Sequence, residues 1–182
     1  MAKAIAMVEY QTVAVGVTAA DTMLKTAEVE LVEAEVVCPG KYIVLISGEL
    51  SAVKAAVESS KKQYPEKLID SFVLGNPHPA IFPAIYGSTD VKDTRALGVV
   101  ETYSAASIIV AADIAAKTSI VDLIELRIAK GMCGKSYMYM TGEVSAVNAA
   151  VEKVKRDIKE SGMFLDCSVI ASPDKKLWES IL

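Results

Sequence analysis

The chain contains the same pattern twice, and this internal repeat constrains its fold more than any other feature of its 182 residues. The segment "AIAMVEYQTVAVGVTAADTMLKTAEVELVEAEV" (Ala4–Val36) aligns with "ALGVVETYSAASIIVAADIAAKTSIVDLIELRI" (Ala96–Ile128), and 12 of 33 positions are identical. The segment "GKYIVLISGELSAVKAAV" (Gly40–Val57) aligns with "GKSYMYMTGEVSAVNAAV" (Gly134–Val151), and 10 of 18 are identical. Ordered similarity of this kind predicts a tandem duplication.

The third aligned block and the join between the copies set the expected domain boundaries. "LIDSFVLGNP" (Leu68–Pro77) aligns with "FLDCSVIASP" (Phe164–Pro173). Between the copies lies "YGSTDVKDTRA" (Tyr86–Ala96), which has the Gly, Ser, Asp and Lys content of a linker. We therefore expect two domains, residues 1–90 and 91–182.

Each copy has the pattern of a βαββαβ unit, the ferredoxin-like or split βαβ arrangement of the α+β class. The predicted strands are Ala4–Tyr10, Val29–Val37, Tyr42–Ser47 and Lys67–Leu74, and then Ala96–Tyr103, Val121–Ala129, Ser136–Thr141 and Met163–Ile170. The first helices are predicted at about Gly16–Ala27 and Ala105–Lys117. The second helices are predicted to begin at an N-cap serine, Ser51 or Ser145, or one residue earlier, and to end near Tyr64 and Glu160. A short helix closes each copy.

Composition excludes several classes of function. The net charge is −4 and the sequence pI is about 5.1, so there is no basic excess to bind nucleic acid. The start "MAKAIAMVEY" lacks the long apolar core of a signal peptide, and the most apolar helical run, Ser104–Ala116, is too short to span a bilayer and contains Asp113. We expect a cytoplasmic protein that does not enter membranes. Its 3 cysteines then serve as ligands, redox groups or packing residues.

Three motifs together resemble a known family. They are "D-x-x-x-K" on the first helix of each copy, a Gly-Lys turn, and "GE-x-SAV-x-AAV" at the start of the second helix. This combination is similar to bacterial microcompartment shell domains, and two in tandem resemble the trimer-forming shell proteins. The resemblance implies a homotrimer shaped as a pseudo-hexamer, located in a microcompartment shell, whose edges meet hexameric shell tiles. It also implies a central pore lined by the turns between strands two and three of both copies, with Pro39, Gly40, Lys41, Met132, Gly134 and Lys135.

The first of these turns, "CPGK" (Cys38–Lys41), resembles a subtype, the iron–sulfur shell proteins of propanediol-utilisation microcompartments. A residue before proline favours an extended conformation and glycine permits chain reversal, so we expect Cys38 to be displayed on a stiff loop. Lys41 would favour its thiolate. With one Cys38 per chain, the implied trimer brings three thiolates to one axis. We expect them to hold a [4Fe-4S] cluster with an open fourth iron, for electron transfer or cluster transport across the shell, with zinc as the second choice.

The other two cysteines have different expected roles. The second copy's turn, "RIAKGMCGKSY" (Arg127–Tyr137), is two residues longer and contains Cys133. That thiol offers a second ligand set, a site of cluster exchange, or no metal contact. Cys167 lies on the fourth predicted strand of the second copy, and we expect it to be a packing residue.

The lysines of the "D-x-x-x-K" motif have two readings. Lys25 and Lys117 lie on the first helices, four residues after Asp21 and Asp113, a spacing that allows a weak ion pair. A solvated helix face is the ordinary role of such a lysine. The resemblance instead implies that Lys25 and Lys117 form the tile edge, where a lysine stem packs flat against a neighbouring trimer.

No pattern of catalytic residues is present, so we expect no enzyme. His78, in "GNPHPAIFP", is the only histidine, and Glu9 and Glu101 have matching places on the first strands without a second acid at catalytic spacing. We interpret His78 as a loop residue, and Glu9 and Glu101 as candidate interface residues. Two other functions stay open: a plain tile with a metabolite pore and no cluster, and a ferredoxin-like regulator that binds a small molecule. A redox enzyme inside or outside the shell is the partner that a cluster would require.

Overall fold

The computed structural model describes residues 4–91 and 94–182. Lys92 and Asp93 of the predicted linker, and the first three residues of the chain, lie outside the described residues. The strands are β1 (Ala4–Tyr10), β2 (Glu30–Val37), β3 (Lys41–Gly48), β4 (Leu68–Leu74), β5 (Ala96–Thr102), β6 (Val121–Arg127), β7 (Ser136–Gly142) and β8 (Phe164–Ile170). The helices are α1 (Val13–Thr26), α2 (Leu50–Gln63), α3 (Ile81–Ile85), α4 (Ala105–Thr118), α5 (Val144–Lys159) and α6 (Lys175–Ile181).

The strands form two four-stranded antiparallel sheets with the same order, β2-β3-β1-β4 and β6-β7-β5-β8. This is the split βαβ order that the sequence predicts, and the α+β ferredoxin-like class is confirmed. Even the irregularities repeat. The pairing shifts after Glu9 and between Leu31 and Glu33 in the first sheet, and after Glu101 and between Leu123 and Glu125 in the second.

The second helix of each copy begins one residue before its serine, which is one of the two predicted starts. Helices α2 and α5 begin at Leu50 and Val144, so the residues at the cap are Glu49 and Glu143, and neither side chain makes a capping hydrogen bond. The predicted start one residue before each serine is therefore right, whereas the prediction of Ser51 or Ser145 as N-cap is wrong. The carbonyls of Glu49 and Glu143 already accept the first helical hydrogen bonds, from Val53 and Val147, because β3 and β7 run directly into the helices.

The described residues form two compact units. Of the described residues, the first unit comprises those up to Pro77 with Ser104–Ala106 and Ala129–Gly134, and the second comprises those from His78 to Tyr103, Ser107–Ile128 and Lys135–Leu182. The first unit therefore contains two short segments of the second sequence copy, the start of α4 and the loop before β7. The expected boundary at residues 90 and 91 stays a prediction.

Each unit has its own core. In the first, α1 and α2 pack on one face of the sheet through buried apolar side chains such as Tyr10, Met23 and Val53. In the second, Trp178 of α6 packs against Leu97 and Ile124, and α5 packs on β5 and β8. Among the described residues, no helix combines the length and the apolar character that crossing a bilayer requires.

Candidate functional site

The cysteine-containing turn joins β2 to β3. The Gly40 amide donates to the Val37 carbonyl at 2.9 Å, which closes a four-residue turn around a cis Cys38–Pro39 bond. The φ angle of Gly40 is 100°, a conformation that favours glycine, as expected for the point of chain reversal. Cys38 is half-buried and in no disulfide. Its side chain thus lies at the tip of a strand hairpin and outside the core.

The longer loop of the second copy packs beside this turn, within the first compact unit. The Cys38 amide donates to the Ala129 carbonyl at 3.0 Å. Gly134 lies so close that a Cβ there would come within 3.1 Å of the Cys38 carbonyl oxygen and 2.9 Å of Lys41 Cε. Main-chain contacts therefore hold the tip of the Cys38 turn. The Cys38 thiol takes part in none of these contacts.

Four residues of the loop 129–134 have φ angles in the left-handed region. Gly131 and Gly134 have φ angles of 74° and 87°, and two non-glycine residues share this region, Ala129 at 55° and Cys133 at 52°. Residues other than glycine adopt this conformation at a cost of about 1–2 kcal/mol each. Cys133 is exposed, and Met132 beside it is half-buried. The structure thus places Cys133 in the same unit as Cys38, on a strained loop.

Lys41 is directed inward, to a buried carboxylate. Its ammonium lies 2.9 Å from Glu9 Oε1 and 3.3 Å from the Gly134 carbonyl. The Glu9 side chain is completely buried on β1, and its second oxygen accepts from the Ala105 amide at 2.9 Å, at the start of α4. Burial raises the pKa of Glu9, while the Lys41 ammonium and the Ala105 and Ala106 amides oppose that shift. The charge of Lys41 is largely balanced by Glu9, so its main effect is to hold the turn in place.

A second cluster of charges, which the sequence did not reveal, ties the long loop to β2. The Lys130 ammonium lies 3.1 Å from Glu33 and 2.5 Å from Glu35, and the two carboxylates share one side of β2. Burial raises the pKa of Glu33, and the neighbouring Glu35 carboxylate raises it further. Lys130 falls in the two-residue insertion of the second copy, so the repeat alignment offers no counterpart that could have marked it.

Each of the two predicted edge lysines forms an ion pair within its own helix. Lys25 is exposed and pairs with Asp21 at 2.7 Å, and Lys117 pairs with Asp113 at 2.6 Å. Asp113 also accepts from the backbone amide of the lone histidine, His78, at 2.8 Å, which is a structural contact. Lys135 is exposed and belongs to the second unit.

The donor set of one chain limits what a metal could bind. Among the described residues, no group of three or more His, Cys, Asp or Glu side chains could hold a metal ion. Cys167 is half-buried on β8, in the second unit, and burial raises the pKa of its thiol. Cys38 and Cys133 are the cysteines of the first unit among the described residues.

Known proteins share this architecture. The BMC domain family model matches residues 4–77 and 96–173. The bacterial microcompartment shell protein PduT of Citrobacter freundii is 38% identical over 182 residues, which is 100% of this chain and 99% of that protein. The carboxysome shell protein CsoS1 of Prochlorococcus marinus is 34% identical over 88 residues, covering 47% of this chain and 85% of that protein.

A solved structure is similar along the whole chain. A crystal structure of a microcompartment protein from Desulfitobacterium hafniense has a TM-score of 0.86 and 45% sequence identity, and the match covers 98% of this chain and 99% of that one. A fused permuted hexameric shell protein, MSM0275 of the RMM microcompartment, shares the fold at a TM-score of 0.63 and 18% identity, over 87% of this chain and 82% of that one.

Proposed function

Because the chain belongs to the BMC-domain family, as a structural shell protein of a bacterial microcompartment, we propose that it forms a trimeric tile whose central pore binds a [4Fe-4S] cluster through Cys38. Pro39, Gly40, Lys41, Met132, Gly134 and Lys135 would line the approach to that pore. The tile would meet hexameric shell proteins along edges that include Lys25 and Lys117.

The observation that carries this proposal is the position of the Cys38 thiol. It lies at the tip of a hairpin whose main chain is anchored to the Ala129 carbonyl and whose neighbour Lys41 is anchored to Glu9. A thiol that is half-buried and fixed on a short turn can serve as a metal ligand together with the same thiol from other chains. Three such thiols on a three-fold axis match a cubane cluster with one iron open to another ligand.

The residues of this chain would bind the cluster and position the residue that binds it. Cys38 would act as the thiolate ligand, and Lys41 and the 129–134 loop would keep its turn in one conformation. When bound, a [4Fe-4S] cluster supplies one-electron redox chemistry. That chemistry would suit electron transfer across the shell to a redox enzyme on either side, or release of the cluster itself. Zinc fits the same three thiolates with one exogenous ligand, as the second choice.

The test is the metal content of protein purified without oxygen. We expect about four irons and matching acid-labile sulfide per trimer, with the visible and EPR spectra of a cluster, and their loss in Cys38→Ser. Cys167→Ser is the matched control and should keep the iron, while Cys133→Ser shows whether the second loop contributes a ligand.

The outcomes separate the alternatives. Zinc in place of iron, lost in Cys38→Ser, would make the site a zinc site. No metal in the parent protein, with an intact trimer, would leave a plain tile. A trimer that falls apart in Cys38→Ser would make the cysteine structural.

A further inference from the structure

The first compact unit contains two cysteines on neighbouring loops, Cys38 and Cys133, and neither is in a disulfide. Cys38 is half-buried, whereas Cys133 is exposed. The third cysteine of the chain, Cys167, belongs to the second unit. The first unit therefore combines a half-buried thiol, the candidate metal ligand, with a second thiol that a dissolved oxidant can reach.

Both ends of the 129–134 loop contact the main chain of Cys38. The Ala129 carbonyl accepts from the Cys38 amide at 3.0 Å, and a Cβ at Gly134 would lie 3.1 Å from the Cys38 carbonyl oxygen. Cys133 is bonded to Gly134, and consecutive Cα atoms are about 3.8 Å apart. Only one peptide unit therefore separates Cys133 from a residue that packs against Cys38.

This loop is held near its two ends and is open at its tip. Lys130 forms ion pairs with two carboxylates of β2, and Gly134 packs against the Cys38 turn. Between them, a Cβ added at Gly131 would meet no atom of the described residues within 4 Å, and Cys133 is exposed. A disulfide requires Cα atoms roughly 4.4–6.8 Å apart. A shift of the open tip supplies that approach while both ends of the loop stay in place.

The repeat gives Cys133 a different place from Cys38. When the alignment of the two Gly-Lys turns is extended back by two residues, Met132 pairs with Cys38, and Cys133 pairs with Pro39. The two thiols are therefore not equivalent in the duplication, and a methionine occupies the position in the second copy that matches the candidate ligand. This difference favours a role for Cys133 other than a second copy of the Cys38 site.

We propose that Cys133 is a site of oxidation and that hydrogen peroxide joins it to Cys38 in a disulfide within one chain. The exposed Cys133 sulfur attacks the peroxide, the O–O bond breaks, and the products are a Cys133 sulfenic acid and water. The Cys38 thiol then attacks that sulfur, the S–S bond forms, and the sulfenic oxygen leaves as water with the thiol proton. Two thiols and one hydrogen peroxide thus give one disulfide and two waters.

The disulfide would protect Cys38 from irreversible oxidation when no metal is bound. A sulfenic acid without a second thiol is oxidised further to sulfinic acid, which dithiothreitol does not reduce, whereas thiol exchange restores a disulfide. The disulfide itself requires no metal. Its effect on metal binding rests on the proposed function, because a Cys38 sulfur in a disulfide is no longer a thiolate ligand.

The first experiment locates the bond. Full-length protein that a chelator has freed of metal is treated with hydrogen peroxide, alkylated, and digested with trypsin without reduction. Mass spectrometry should find the peptide of residues 26–41 joined to the peptide of residues 131–135. A non-reducing denaturing gel should show that the joined peptides come from monomers, and dithiothreitol should separate them.

Two single variants are the controls, and circular dichroism verifies their folds. Cys167→Ser should form the same bond as the parent protein, whereas Cys133→Ser should form no bond within the chain. Each variant is then treated with excess peroxide, followed by dithiothreitol. The fraction of Cys38 that reacts with a maleimide should be several-fold lower in Cys133→Ser than in Cys167→Ser, because its sulfur has passed to sulfinic acid.

The second experiment measures metal binding with cobalt(II), which needs no reductant and absorbs strongly when thiolates bind it. The metal-free, reduced protein should show this thiolate-to-metal absorption. Peroxide treatment should abolish it, and addition and removal of dithiothreitol should restore it, because the disulfide withholds Cys38.

The outcomes separate the thiol pair from the proposed metal site. Covalent dimers that join the Cys38 residues of two chains, or sulfinic acid at Cys38 without a bond to Cys133, would overturn the pair and leave the metal site standing. A reversible bond between Cys38 and Cys133 in a protein that binds neither cobalt nor iron in its reduced form would keep the pair and reject the metal site.

Discussion

The Lys41 ammonium lies 2.9 Å from a carboxylate oxygen of Glu9, and the Glu9 side chain is completely buried. This ion pair connects β3, the strand that follows the Cys38 turn, to its neighbouring inner strand β1, and Glu9 also accepts from the Ala105 amide at the start of α4. Lys41, the last residue of the turn that contains Cys38, therefore anchors the turn to the sheet. The geometry of the turn then depends on the buried charge of Glu9.

Lys41→Met should destabilise the protein at neutral pH by about 3–5 kcal/mol, because it leaves a buried carboxylate without its cation. The loss should depend on pH. Burial already raises the pKa of Glu9 above its ordinary value of 4.5, and removal of the ammonium raises it further. A raised pKa in the folded state means that the variant's stability is kept at low pH and falls as the pH rises through that pKa.

Urea unfolding of Lys41→Met and the parent at pH 4 and pH 7, at one protein concentration, measures this difference. Lys25→Met is the control, since its ion pair with Asp21 is exposed and its removal should leave the unfolding midpoint unchanged. An equal loss for Lys41→Met at both pH values would show that the lysine stem, and not its charge, stabilises the turn.

Gly134→Ala should disturb the Cys38 turn, whereas Gly131→Ala should not. Both glycines have left-handed φ angles, so each substitution costs about 1 kcal/mol in backbone strain. At Gly131 an added Cβ meets nothing within 4 Å, but at Gly134 it meets Lys41 Cε at 2.9 Å and the Cys38 carbonyl at 3.1 Å. We expect a lower melting temperature and a lower iron content for Gly134→Ala than for Gly131→Ala. Equal melting temperatures in the two variants would contradict a tight contact at Gly134.

Cys133→Gly should be as stable as the parent or more stable by up to about 1 kcal/mol. The φ angle of Cys133 is 52°, and glycine removes that strain, although it adds entropy to the unfolded chain. Cys133→Val should be destabilising, because a β-branched side chain is strongly disfavoured in this region. Thermal unfolding of both variants tests the backbone, and a Cys133→Val variant as stable as Cys133→Gly would mean that the loop rearranges.

Lys25→Ala should reduce the formation of flat arrays and leave the mass of the trimer unchanged. The Lys25 side chain is 75% exposed and its ion pair is within one helix, so its removal does not affect the core. Electron microscopy of concentrated protein and light scattering measure the two properties. Lys153→Ala, which removes another lysine of a helical i,i+4 ion pair, is the control. Arrays that persist in Lys25→Ala would remove this lysine from the edge.

Much of the fold could be predicted because hydrophobic periodicity and duplication are local or directly visible in the sequence. The strand and helix order of both copies, and hence the sheet order, follow from them, and the bounds differ by a few residues. The N-caps were wrong since a serine near a helix start is a statistical signal, while the start is decided by where β3 and β7 end, at Gly48 and Gly142.

The site was only partly predictable. Cys38, Pro39, Gly40 and Lys41 are adjacent in sequence, so their turn could be recognised. The matching places of Glu9 and Glu101 on apolar strands marked them as interface candidates. The sequence did not show which residues Glu9 would contact. Lys130, Glu33 and Glu35 gave no signal, because a lysine in a loop and glutamates on a strand are ordinary when their separation in space is unknown.

The sequence by itself determined the duplication, the α+β class and the family, because each depends on residue order alone. Only the tertiary structure decided that Lys41 binds Glu9, that Ala129–Gly134 packs beside the Cys38 turn, and that Glu9 and Asp70 accept hydrogen bonds at the start of α4. Those facts depend on which groups meet after the chain has folded, and contacts between residues 32 to 96 positions apart are not encoded in any local pattern.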